Sequence, residues 1–142
     1  MPGERVALTV EYDGSNFHGW QLQRGSEVPS VQAVLESAVA RVANAPVRLH
    51  CAGRTDTGVH ATNQVVHFDS PCIRSTRSWV LGCNGNLPDS VAVKQACVVD
   101  TAFHARFSAL SRRYRYLLYN ADVRSAIGPA YLTWVRQPLD VD

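Results

Sequence analysis

Hydrophobic positions along this chain follow two periods. After Ser30, a residue type that caps helix N-termini, Val31, Val34, Leu35, Ala38, Val39 and Val42 keep the i, i+3, i+4, i+7 rhythm of one helical face, with Gln32, Glu36 and Arg41 off the stripe. That spacing predicts a helix ending near Asn44, before Pro46. Residues 5–12 are rich in β-formers and stop at the turn signal Asp13-Gly14-Ser15, so they predict a strand. Residues 47–52 and 63–69 predict two more strands, joined by a glycine-containing connection and closed by Ser70-Pro71. A weaker helix over 75–83, with Ser75 as its cap, breaks at Gly82 and again at Asn84-Gly85-Asn86-Leu87-Pro88. Residues 91–99 alternate apolar positions and predict a strand, 113–119 predict another, and 131–135 a short one.

The order is β-α-β-β-α-β with one added strand. It predicts an α+β fold on the ferredoxin-like split βαβ plan, an antiparallel sheet with helices on one face and the other face left for binding.

At 142 residues the chain fits a single domain over 1–142, large enough to bury one core without disulfides. Apolar residues are 46% and charged residues 18%, without low-complexity runs, which favours a globular class. Cys51, Cys72, Cys83 and Cys97 form no C-x-x-C pair, so zinc and redox motifs are unsupported. Their scatter through apolar segments suits reduced, mostly buried thiols of a cytoplasmic protein. No apolar stretch is long enough to span a membrane, and the N-terminus lacks a basic region followed by a long apolar core.

The net charge of +2 says little about partners, but its distribution says more. Arg106, Arg112, Arg113 and Arg115 interleave with Phe103, His104, Phe107, Tyr114 and Tyr116, a mixture suited to phosphate contact and base stacking. A strand whose outer face is solvated by arginines would read the same way.

The chemistry centres on Gly53-Arg54-Thr55-Asp56-Thr57-Gly58-Val59-His60-Ala61. One carboxylate stands between two glycines that suit a tight loop, with a guanidinium two residues upstream. In a locally extended backbone, positions two apart face the same way, so Arg54 can pair with Asp56 and keep it ionised and aimed as a nucleophile. The same residues also fit a solvated hairpin loop. His60 reads as a hydrogen bonder that fixes the loop, and Asp13 as a turn cap.

Several ordered motifs then carry a resemblance. They are Tyr12-Asp13-Gly14-Ser15, Phe17-His18-Gly19-Trp20-Gln21, Ser30-Val31-Gln32, Gly53-Arg54-Thr55-Asp56, Gly58-Val59-His60-Ala61, Gln64-Val65-Val66-His67-Phe68, Asn84-Gly85-Asn86-Leu87-Pro88, Phe103-His104-Ala105-Arg106-Phe107-Ser108 and Arg112-Arg113-Tyr114-Arg115-Tyr116. Together they resemble the TruA family of tRNA pseudouridine synthases over nearly the whole chain. The resemblance implies isomerisation of uridine to pseudouridine on the 3′ side of a tRNA anticodon stem-loop, without metal or organic cofactor. It implies that Asp56 is the catalytic aspartate, that Tyr114 lies against the target base, and that Arg54 pairs with the aspartate and contacts RNA. Phe103, His104, Ala105, Arg106 and Phe107 match an RNA-contacting stretch, and Arg74 another basic RNA-binding position.

Two departures accompany it. Thr57 stands where the family has a small apolar residue. Family members are also about twice this length, the other half supplying a second α/β domain that completes the cleft and contributes to a homodimer. The resemblance therefore implies an N-terminal half with little or no activity alone.

The implied reaction breaks the N1 to C1′ bond, turns the uracil in place and rebonds it through C5. A carboxylate suits either direct attack at C1′ or assistance to sugar deprotonation. Negative charge on the departing uracil calls for hydrogen-bond donors, and the nucleotide must leave its stack. A noncatalytic RNA-binding module is the alternative, but the RNP1 aromatic consensus is absent and plain binding has no use for the carboxylate loop. A zinc deaminase is set aside because the H-x-E and P-C-x-x-C ligands are missing.

Overall fold

Glu4–Tyr12 forms β1, the strand that carries the sheet, in a computed structural model describing residues 3–142. The chain separates into two compact units, one ending at Leu110 and the other covering Ser111–Asp142. After β1 the first unit continues through α1 (Val31–Ala43), β2 (His50–Cys51), β3 (Ala61–Ser70), α2 (Thr76–Gly85) and β4 (Val91–Val99). The four strands form one sheet in the order β2-β3-β1-β4, every neighbouring pair antiparallel. The α+β class expected from the two periods is the one observed.

Strand alternation gives the sheet two faces. On one, Val6, Leu8, Val10 and Tyr12 of β1 and Val66 and Phe68 of β3 share a core with Val31, Leu35 and Val39 of α1 and Trp79 and Cys83 of α2. On the other lie Arg5 and Ala7, whose register partners on β3 are Asp69 and His67. Helix α1 has the expected ends: Ser30 Oγ accepts from the Ala33 N–H at 3.1 Å, and Asn44 closes it in the left-handed region at φ 55°.

Four expected elements differ. The strand over 47–52 shrinks to two residues because α1 takes the backbone groups of Leu49. Its N–H donates to Glu36 Oε1 at 3.0 Å, and its carbonyl accepts from Gln32 Nε2 at 3.4 Å. Helix α2, capped by Ser75 as expected, runs through Gly82 to Gly85 without a break. Gly82 is a contact point there, since a Cβ would lie 2.7 Å from Val42 Cγ2 of α1.

In the second unit, the strand expected over 113–119 is only β5 (Leu118–Asn120), paired in parallel with β6 (Thr133–Val135). Residues 111–117 carry no regular structure, and all of their side chains are exposed, so the alternation there has no layer to pack against. The segment expected as a strand over 131–135 begins instead with a 3₁₀ turn, Pro129–Tyr131.

All four cysteines are free thiols. Cys83 is buried, and that burial pushes its thiol up to about 12, whereas Cys97 is exposed, contrary to a mostly buried set.

Candidate active site

Asp56 stands in the connection between β2 and β3, exposed, with Arg54 exposed two residues before it. The backbone beneath it is held from several sides. Helix N-termini leave N–H donors without intrahelical partners, and two near the start of α1 go to a neighbouring loop. Val31 N–H donates to Gly19 O at 3.1 Å, and Gln32 N–H to Trp20 O at 2.9 Å. That loop in turn holds the next one, through the Trp20 N–H donated to Thr55 O at 3.0 Å. Gly19 lies so close that a Cβ would be 2.6 Å from Thr55 O, and its φ of +72° independently favours glycine.

A second support comes from the core. Gln64, buried at 8% exposure, donates from Nε2 to Gly53 O at 2.6 Å and to Tyr12 Oη at 3.3 Å. The Tyr12 hydroxyl, accepting there, is positioned to donate to Thr55 Oγ1 at 2.7 Å. Beyond Asp56 the chain turns tightly: Val59 N–H donates to Asp56 O at 3.1 Å, and Gly58 takes the positive φ of +80° at the third position. Thr57 occupies the exposed second position, where side-chain size matters little. His60 fixes the loop as expected, its Nδ1 accepting the Gly14 N–H at 2.9 Å, and Asp13 caps the adjacent 3₁₀ turn through the Ser15 N–H at 3.0 Å.

Arg54 and Asp56 share this loop, but no ion pair joins them among the described residues. Arg54 instead lies within electrostatic reach of Cys51, as does Arg106. Burial raises the Cys51 thiol, and the two guanidiniums pull it back down. Arg54 and Arg106 each act electrostatically on the Cys51 thiol at the β2 edge.

Residues 103–107 form an arm over the sheet face opposite the core. Arg5 donates to the carbonyls of Thr101 and Phe103, both at 2.7 Å, while its Nε pairs with Asp69 at 2.7 Å. This hydrogen bond and charge hold the Asp69 carboxyl below its usual range. Ala105 is buried and donates its N–H to His67 Nδ1 at 3.0 Å. Arg106 lies over the exposed Phe107 ring at 5.5 Å.

Of the other expected contacts, Arg74 lies away from this loop. The Arg74 N–H reaches Glu4 Oε1 at 3.4 Å, at the start of β1, and its Nε donates to Val42 O at 3.2 Å. Asp56 belongs to the Tyr12 end of that nine-residue strand, roughly 25 Å away at strand rise. Tyr114 belongs to the second unit and is 73% exposed there.

Gln64, Gly19 and Tyr12 had no role assigned from sequence. Gln64 had a signal: it shares the inward parity of Val66 and Phe68, where a polar side chain must find buried partners. Among the described residues, no group of three or more His, Cys, Asp or Glu could hold a metal ion, and no helix is long and apolar enough to cross a membrane.

Comparison with known proteins matches residues 8–108 to the tRNA pseudouridine synthase family. The chain is 56% identical over 138 residues to tRNA pseudouridine synthase A of Shewanella sediminis, covering 97% of this chain and 52% of the relative. It is 58% identical over 136 residues to that of Shewanella woodyi, covering 96% and 51%. With that of Aeromonas salmonicida it shares 60% identity over 123 residues, covering 87% and 45%. The chain spans about half the length of the curated relatives it matches. Because the matched span takes in β1 from Leu8 onward, the Asp56 loop and the arm through Phe107, this chain belongs to the tRNA pseudouridine synthase family.

Proposed function

We propose that Asp56 is the catalytic carboxylate of an isomerase that converts uridine to pseudouridine in the anticodon stem-loop of tRNA. The observation that carries this reading is an exposed carboxylate on a backbone gripped from below by buried Gln64 and Tyr12 and by Gly19. Such a mounting spends buried hydrogen bonds on a solvent-facing group, which suits a reacting atom better than a plain turn. The carboxylate serves either by attacking C1′ or by assisting sugar deprotonation; the N1 to C1′ bond breaks, C5 bonds to C1′, and the proton lost from C5 is balanced by one taken up at N1.

Arg54 and Arg106, both within electrostatic range of Cys51, supply cations for phosphates beside the extruded nucleotide. Phe103, His104, Ala105, Arg106 and Phe107 form the RNA-contacting arm, Tyr114 the stacking surface for the base, and Arg74 a contact remote from it. The strand order β2-β3-β1-β4 with two helices supports a ferredoxin-like split βαβ sheet. A cytoplasmic homodimer of the relatives' length is the assembly to which we assign full turnover.

The test is release of tritium from tRNA labelled at C5 of uridine, by this chain and by a protein extended to the length of its relatives. Release by the extended protein and none by its Asp56→Asn variant, with RNA affinity retained, is the expected result. No release by the extended protein would sink the assignment and leave RNA binding alone.

A further inference from the structure

We propose that His67 is a positioning residue for the 103–107 arm, a neutral imidazole whose Nδ1 fixes the Ala105 N–H and so sets where Arg106 and Phe107 meet RNA. This rests on the reading of that arm as an RNA contact. Three successive amides of the arm donate to imidazole rings: Ala105 to His67 Nδ1 at 3.0 Å, and Arg106 and Phe107 to His104 Nδ1 at 3.1 and 3.3 Å. The arm is therefore hung on side chains of the sheet, His67 of β3 and Arg5 of β1, and not on a strand ladder.

His67 is suited to that duty. It is 2% exposed, stacked on His50 at 5.0 Å, and meets His104 and Phe103 edge-on at 4.6 and 6.0 Å. An imidazolium has no acceptor, so the Ala105 contact requires the neutral ring with its proton on Nε2. The surroundings enforce neutrality: burial first, then His104, Arg5 and His50, lower the proton affinity of His67 to about 4 against the opposing pull of Asp69. Ala105, itself 2% exposed, brings its backbone against the sheet where a long side chain would hold it off.

His67→Phe keeps a ring and removes the acceptor, whereas His67→Asn returns an oxygen close to the position of Nδ1. Two readouts apply: hydrogen exchange of the Ala105 amide, and Kd for an RNA hairpin of the anticodon stem-loop. His67→Phe is expected to lose Ala105 protection and weaken hairpin binding on the order of tenfold, with His67→Asn recovering much of both. Lost protection with unchanged Kd would overturn the inference, provided that Arg106→Ala weakens binding; if Arg106→Ala is silent too, the RNA reading of the arm fails with it. The unmutated protein gives a check independent of variant folding: its imidazole ¹⁵N spectrum at neutral pH should have His67 protonated on Nε2 alone. A proton on Nδ1 would refute the assignment.

Discussion

Gln64 grips the peptide groups of Gly53, its Nε2 donating to the Gly53 carbonyl at 2.6 Å and its Oε1 facing the Gly53 N–H at 3.4 Å. The amide is buried, so it fixes the point where the chain leaves β2 for the Asp56 loop and joins that point, through Tyr12, to Thr55. The rigidity of the proposed nucleophile is thus set in the core, eight residues further along the chain.

Replacing Gln64 by Leu would orphan the Gly53 carbonyl and remove the donor to Tyr12. A loss of about 1–3 kcal/mol in stability is expected from the unsatisfied buried groups. In a protein of the relatives' length, kcat should fall more than KM rises, because the carboxylate is misaimed while the RNA surface is unchanged. Gln64→Glu, which keeps size but at neutral pH lacks the donor, should do no better. Thermal denaturation and steady-state kinetics measure the two effects separately.

Gly19→Ala tests the second support. Gly19 and Gly25 both have positive φ, +72° and +76°, so alanine at either meets the same backbone penalty of roughly 1–2 kcal/mol. Only at Gly19 does the new Cβ meet the loop, 2.6 Å from Thr55 O; around Gly25 nothing lies within 4 Å. Gly19→Ala should therefore lower turnover by far more than Gly25→Ala, and melt lower as well, because the loop backbone must shift to clear the new Cβ. Equal turnover in the two variants would mean that the Gly19 contact does not govern Asp56.

What could be read in the sequence was local. Ser30, the apolar stripe and Asn44 marked both ends of α1 because caps and period are short-range signals. The glycine loop around Asp56 was legible for the same reason. What escaped depends on partners distant in sequence. The loss of Val47, Arg48 and Leu49 from β2 follows from Glu36 and Gln32 taking the Leu49 peptide groups. The continuity of α2 through Gly82 follows from Val42 on the other helix. His67, on the strand face away from the core, has no sequence signal of its acceptor role, because Ala105 is 38 residues away.

Acid should weaken the first unit through His67. Its folded proton affinity is lowered to about 4 from an ordinary value of 6.5, so as pH falls through that interval the unfolded chain takes up a proton that the folded one refuses. Stability is then fully present above about 6.5 and lost progressively toward about 4, by up to about 3 kcal/mol in order of magnitude. The charged and titratable neighbours that bear on this are Arg5 on β1, His50 on β2, Asp69 on β3 and His104 on the arm. Denaturant midpoints measured between pH 7 and 4 should fall less steeply for His67→Asn. An identical slope would place the acid sensitivity elsewhere.

Arg54 offers the sharpest separation of structure from function. No hydrogen bond or ion pair ties its guanidinium to another described residue, and it is exposed, so its replacement should leave the melting temperature unchanged. Arg54→Lys retains the charge but loses the planar fork that meets phosphate or carboxylate through two bonds. In a protein of the relatives' length it should lower turnover markedly while keeping the salt dependence of RNA binding. Arg54→Ala should also reduce the slope of log K against log salt by about one, the loss of one phosphate contact. Arg74, at the far end of β1, should behave differently: Arg74→Ala is expected to weaken binding of whole tRNA but not of an isolated anticodon hairpin. If Arg54→Lys retains full turnover, the guanidinium serves only as a charge, and a two-bond contact through its planar fork is refuted.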